Sequence, residues 1–274
     1  MTSLARIVAG PDGAPTLVLL HGITGSAVSL AEAIDHWVGR GYRVVAVDAR
    51  GHGLSPRWEP AQLERAGEVL VEDLIAVLED LATASRGRAA LGLPTPPAPV
   101  VIGHSMGAAT AMVAAGRRPD LVTGVVLEDP ARFGTRSPRE LLARGAARER
   151  ARAAEVADLT AAVGRALETM PDVEALPGVW ASQRTDPGLL LSGVVTPEVP
   201  WDEAMAALDV PALLLTGDRP GSARVGREGL ATAARNPRIR TVLVPGAGHQ
   251  VRRSDPQAFY RAVDAWLAEA LPVD

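Results

Sequence analysis

The sequence predicts an α/β fold, a mostly parallel central sheet flanked by helices on both faces. Three observations lead there. Short aliphatic runs alternate with longer helical patterns along most of the chain. The runs are apolar at successive positions rather than at every second one, as strands buried on both faces must be. Each runs into Gly, Asp, His or Pro at its end, where open α/β sheets place their sites.

Taken in order, residues 16–20 (TLVLL), 43–47 (RVVAV), 100–103 (VVIG), 124–127 (GVVL), 212–216 (ALLLT) and 241–244 (TVLV) are predicted strands. Residues 30–38, 67–82, 108–117 and 256–271 are predicted helices. In the second helix, Val69, Leu70, Asp73, Leu74, Val77, Leu78 and Leu81 recur at three- and four-residue steps, apolar except at Asp73. The Gly- and Pro-rich stretch 86–99 reads as a loop. Residues 131–208 break the alternation. Arg, Glu and Ala follow a helical pattern from 138 to 167, and Pro and Gly then punctuate segments containing Trp180 and Trp201. The expected organisation is a core domain from residues 1–130 and 209–274, interrupted by a helical cap at 131–208. The apolar stripe of the cap is too thin to close a core of its own.

Composition narrows the chemistry. A length of 274 residues suits one large α/β domain with an insertion. Cysteine is absent, which removes disulfides, thiolate nucleophiles and zinc–thiolate sites. All 28 basic residues are arginine, which removes a Walker-type phosphate loop and any lysine nucleophile or base. A net charge of −4 gives no support for a polyanion, so no nucleic acid is expected. The segment MTSLARIVAGPDGAP lacks the apolar core of a signal peptide, and no apolar run nears the roughly 18 residues of a membrane helix. A cytoplasmic protein with no membrane partner is the expectation.

Gly103-His104-Ser105-Met106-Gly107 has the form G-x-S-x-G. Five residues are weak by themselves, but these follow a predicted strand and open a predicted helix. A strand-to-helix turn tight enough to expose a serine strains the backbone, and flanking glycines remove the clash. Ser105 is therefore the candidate nucleophile. A serine hydroxyl needs a neighbouring base, and sites built on this elbow take the order serine, acid, histidine. Of the five histidines only His249 follows Ser105, in a Gly-rich loop after the last strand. Two carboxylates at strand ends could orient its imidazole. Asp218, closing LLLTGD, is favoured because its strand immediately precedes the one that delivers His249; Asp129, closing GVVLED, is the alternative acid. Glu128 should point to the other side of that strand end.

His21-Gly22-Ile23-Thr24-Gly25-Ser26 follows the first strong strand. Its glycines let the backbone curl, so that the amides of Ile23 and Met106 can face developing negative charge. In Asp48-Ala49-Arg50-Gly51-His52-Gly53 a structural turn is preferred to a metal site, because Asp48 and His52 lack a convincing third ligand. No metal and no cofactor are expected. Phe133, Trp180 and Trp201 are candidates for the pocket wall, although an aliphatic lining is the main expectation with aromatics at only 3%.

With these residues in hand, the chain resembles the α/β-hydrolase superfamily, and within it the esterases and cofactor-free haloperoxidases or perhydrolases. The matching pieces are HGITGS, DARGHGLS, GHSMGA, LLLTGD and GAGH, in family order over nearly the whole chain. The resemblance implies nucleophile Ser105, acid Asp218, base His249, oxyanion amides from Ile23 and Met106, and a cap near 131–208. Haloalkane dehalogenases and epoxide hydrolases of the superfamily carry an aspartate where Ser105 stands, which argues against both. The expected activity is hydrolysis of a small-molecule carboxylic ester or lactone through an acyl-enzyme. Perhydrolysis or C–C cleavage with the same three residues is the alternative, and a non-catalytic ligand receptor is the alternative of another class.

Overall fold

Seven strands form one sheet in the computed structural model, which describes residues 3–131 and 137–273. They are β1 (Arg6–Ala9), β2 (Thr16–Leu20), β3 (Arg43–Val47), β4 (Val100–His104), β5 (Gly124–Glu128), β6 (Ala212–Gly217) and β7 (Ile239–Val244). Their order across the sheet is β1-β3-β2-β4-β5-β6-β7. Only β1 runs antiparallel, paired with β3 at one edge. The six predicted strands are therefore present. The seventh, β1, lies outside the prediction because it has four residues and leaves one face open to solvent, so it carries no continuous apolar run.

The helices are α1 (Ala31–Val38), α2 (Pro60–Leu63), α3 (Ala66–Ala90), α4 (Met106–Arg117), α5 (Pro138–Ala157), α6 (Leu159–Leu167), α7 (Asp172–Gln183), α8 (Pro187–Ser192), α9 (Trp201–Ala206), α10 (Gly226–Ala233), α11 (Val251–Ser254) and α12 (Pro256–Ala270). Strand side chains alternate between two apolar layers, which is why continuous apolar runs were needed. From β2, Leu17 and Leu19 join Trp37, Phe259 and Trp266 of α1 and α12 on one face. Val18 and Leu20 join Leu74 and Leu78 of α3 and Met112 of α4 on the other. Burying one such side chain contributes about 1.5–3 kcal/mol, so each helix is held by several of them.

Two boundaries differ from the sequence prediction. Helix α3 continues to Ala90, through residues expected to be loop. Its last turns, rich in Ala and Arg, face outward, so helical propensity persists where apolar periodicity has stopped. The helical pattern at 138–167 is two helices. Ser137 and Glu140 form a reciprocal capping box at the start of α5. Asp158 ends that helix and caps α6 by accepting the Ala161 amide at 3.0 Å.

Helices α5 to α9 all lie between β5 and β6 in the chain. Helix α7 is tied to the rest by ions. Glu174, fully buried, takes Arg252 at 2.9 Å and Arg253 at 3.1 Å, and Arg252 also reaches Glu32 of α1 at 2.6 Å. Among the described residues no helix is long and apolar enough to cross a membrane.

Candidate active site

The turn from β4 into α4 carries Ser105. Its φ is +52°, and the other non-glycine residues with positive φ among those described are Asp129 at +38° and Thr24 at +66°. They follow the carboxyl ends of β4, β5 and β2 respectively, the edge at which open α/β sheets form their binding crevices. Glycine is required on both sides of the serine. A Cβ on Gly103 would lie 2.6 Å from the backbone of Gly107 and Ala108, and one on Gly107 would lie 2.7 Å from the carbonyl oxygens of Leu20 and His21. The turn is locked to the neighbouring strand, since the Ser105 amide donates to the Glu128 carbonyl at 3.0 Å.

Ser105, His249 and Asp129 form one hydrogen-bonded chain. The Ser105 hydroxyl lies 2.8 Å from His249 Nε2, and His249 Nδ1 lies 2.6 Å from Asp129 Oδ2. With the Nδ1 proton donated to the carboxylate, Nε2 is left to accept from the serine. Asp129 is wholly buried, and its oxygens also accept from the Thr216 hydroxyl at 2.6 Å, the Arg224 amide at 2.9 Å and the Val225 amide at 3.0 Å. Those donors hold the carboxylate fixed. The backbone amide of His249 is anchored on Ser222 Oγ at 3.0 Å.

The favoured acid, Asp218, is elsewhere, and that expectation is corrected. Its carboxylate accepts the Gly246 amide at 2.7 Å and Arg227 at 2.8 Å, and makes no bond to His249. The Gly246 amide, followed by Arg227, holds its pKa below the usual carboxylate range. The physical reason is sheet order. Strand β5 lies directly beside β4, so Asp129 ends next to Ser105, whereas β6 is one strand further away. Adjacency in the chain between β6 and β7 was the wrong guide.

The amides of Ile23 and Met106 have no hydrogen-bond partner among the described residues. Ile23 packs against the apolar cluster that contains Met106, so the two loops meet. His21 braces the first of them. Its Nδ1 donates to the Gly22 carbonyl at 2.8 Å and its Nε2 accepts the Ala49 amide at 3.0 Å, a neutral ring whose pKa burial pushes down. Asp48 accepts the Ala27 and Leu54 amides at 2.7 and 2.9 Å, while His52 contacts the Arg50 carbonyl at 3.0 Å. These two residues serve separate backbone groups.

A cavity of about 250 Å³ opens between α6, α7 and the loops after β2 and β7. The side formed by α5 to α7 mixes Ala162, Ala166, Met170 and Val179 with Glu155, Arg165, Thr169 and Ser182. Its floor is polar, with His104, Glu128, Arg252 and Arg253. The expected aliphatic lining is therefore present only in part, with charged and polar side chains on both sides. Gly22, on the rim, is close enough to the serine that a Cβ there would lie 3.3 Å from Ser105 Cβ.

The aromatic candidates for the wall do not line this cavity. Trp201 is buried on the α3 and α4 face of the sheet, near Met205. Trp180 is half-buried on α7, away from the lining, and Phe133 lies outside the described residues. Large apolar side chains fill core as readily as they face ligands, and nothing in the sequence pattern separates the two. The residues that were missed, Thr216 and Ser222, carry no periodic signal, because only tertiary contact gives them partners.

A seven-stranded, mostly parallel sheet with a strained serine turn after β4 and a histidine loop after β7 defines the α/β-hydrolase fold, and the superfamily resemblance holds. The chain belongs to the family described as serine aminopeptidase, S33, whose model matches residues 12–257. It is 28% identical over 266 residues to 2-(acetamidomethylene)succinate hydrolase of Mesorhizobium japonicum, covering 92% of this chain and 88% of that protein. A shorter match, 37% identical over 133 residues, is to mouse (Mus musculus) sn-1-specific diacylglycerol lipase ABHD11; it spans 47% of this chain and only 37% of that protein. Among solved structures, a bromoperoxidase from Bacillus anthracis has the same fold, with TM-score 0.73 and 20% identity over 96% of this chain and 95% of that one.

Proposed function

We propose that the protein is a serine hydrolase that cleaves a carboxylic ester or lactone through an acyl-enzyme. The observation that carries this reading is the unbroken chain from Ser105 through His249 to Asp129. Ser105 Oγ attacks the substrate carbonyl carbon while His249 Nε2 takes the hydroxyl proton. Buried Asp129 stabilises the imidazolium that results. The unpartnered amides of Ile23 and Met106, the latter at the N-terminus of α4, receive the developing oxyanion; losing one such donor costs about 10²–10³ in rate. His249 then returns its proton to the leaving alcohol, the C–O bond breaks, and water repeats the sequence on the acyl-enzyme with His249 as base. Most of the stretch 131–208, from α5 to α8, acts as the cap, and the cavity beside α6 and α7, of mixed polar and apolar lining, reaches the serine by way of Gly22 and admits a small substrate.

The test is labelling with a fluorophosphonate, together with turnover of short p-nitrophenyl esters. Wild-type protein is expected to be labelled at Ser105 and to hydrolyse the esters; Ser105→Ala should do neither. A folded wild-type protein that fails both assays overturns the reading.

A further inference from the structure

Ser105 and Asp129 are each preceded by a residue whose side chain turns toward the histidine loop. His104 and Glu128 are register partners on adjacent parallel strands β4 and β5, so they sit side by side at the sheet edge. His104 Nε2 lies 3.1 Å from the carbonyl oxygen of His249. Glu128 Oε1 accepts the backbone amide of Arg252 at 2.8 Å. Between them the two side chains grip both ends of residues 249–252, the segment that carries the imidazole.

The chemistry of each contact is specific. A carbonyl can only accept, so the proton of His104 is on Nε2. Its Nδ1 faces Gly22, where a Cβ would approach within 2.7 Å, so the ring is wedged between the loop after β2 and the loop after β7. Burial and the neighbouring His249 hold the His104 pKa well below its ordinary value, which keeps the ring neutral beside an imidazole that must itself become charged. Glu128 is only 5% exposed, and burial raises its pKa; in either protonation state Oε1 can accept the amide. Arg252 does not depend on Glu128 for its charge balance, because Glu174 and Glu32 both pair with it.

We infer that His104 and Glu128 are a pair of positioning residues that hold the His249 imidazole in line between Ser105 and Asp129. The inference rests on the acyl-transfer reading above. Ser222 also anchors the His249 amide, but it lies in the loop after β6. His104 and Glu128 stand on the same strands as the serine and the aspartate. Any shift of those strand ends therefore carries the base along, and the donor–acceptor distances survive it. A misplacement of about 1 Å can cost on the order of 100-fold in rate, so such a mechanical link has kinetic weight.

Four variants test it. His104→Phe keeps the ring volume without the donor, and Glu128→Leu keeps the bulk without the acceptor; His104→Gln and Glu128→Gln restore each. The expected result is a fall in kcat of about 10- to 100-fold for the Phe and Leu variants, beyond any change in KM from the altered cavity floor, most of the kcat regained in the Gln variants. Amide hydrogen exchange across 250–252 should quicken in Glu128→Leu and return toward wild type in Glu128→Gln. Unchanged kcat in the Phe and Leu variants overturns the inference. So does a rise in KM at constant kcat, or Gln variants as impaired as their apolar counterparts. If wild-type protein proves inert to esters and fluorophosphonate, the acyl-transfer reading fails separately, and the exchange result alone judges the clamp: unaltered protection of the Arg252 amide in Glu128→Leu overturns it.

Discussion

Asp129 accepts the Nδ1 proton of His249 at 2.6 Å across a separation of 120 residues in the chain. The carboxylate is fully buried, yet it has a donor for both oxygens, from His249, Thr216 and two backbone amides. A buried carboxylate is tolerated only with such satisfaction. The same satisfaction stops it from turning away from the imidazole.

This relationship separates the two acids. Asp129→Asn keeps the shape but lets the amide stabilise the wrong histidine tautomer, so kcat for a p-nitrophenyl ester should drop by about 10³- to 10⁴-fold. Asp218→Asn, which alters a partly exposed contact to Gly246 and Arg227, should leave kcat within about threefold of wild type. Equal losses in both variants would contradict the geometry.

Acid should destabilise the fold through its buried imidazoles. His52 is fully buried, and burial, aided by neighbouring His21, pushes its pKa down to about 3 from the ordinary 6.5. The unfolded chain binds that proton near pH 6.5 and the folded one only near pH 3, so stability falls as pH drops through this window. Each such histidine contributes up to roughly 1.4 kcal/mol per pH unit, and His104 and His21 act in the same direction. Thermal melts between pH 7 and pH 4 should show the decline. His52→Asn, which keeps a donor for the Arg50 carbonyl, should flatten it.

Glycines that look alike in sequence should behave oppositely. Gly107→Ala drives a Cβ to 2.7 Å from two carbonyl oxygens, and a loss of about 2–3 kcal/mol, or about 5–10 °C in Tm, is expected. Gly87→Ala sits on an exposed turn of α3 with nothing within 4 Å, where a gain of about 0.5–1 kcal/mol is expected. Differential scanning calorimetry of the two variants checks both signs.

The join between α7 and the rest of the molecule should be fragile to one substitution. Glu174→Ala leaves Arg252 and Arg253 facing each other with their shared carboxylate gone. Removing one partner of a buried pair costs about 3–5 kcal/mol, so a clear drop in the urea midpoint is expected. Asp172→Ala, an exposed acid on the same helix, should change the midpoint little.

Much of this molecule is legible in its sequence. The strands from 16–20 to 241–244 were readable because burial on both faces demands continuous apolar runs. Ser105 was readable because the turn that exposes it requires Gly103 and Gly107, and His249 because it alone follows the serine. Where packing makes no demand on residue type, reading failed. The outer turns of α3 carry no apolar period, β1 is too short to show one, and Trp201 fills core instead of facing a ligand.

The chain alone thus determined the sheet, the strained turn at Ser105 and the loop that carries His249, since each imposes a local pattern on residue identity. Only the tertiary structure decided between Asp129 and Asp218, and only it revealed His104 and Glu128 beside the histidine loop. The reason is that strand order is not written locally. Which strand end lies next to Ser105 depends on how seven strands sort into one sheet, and the partner of a side chain follows from that arrangement, not from its neighbours in sequence.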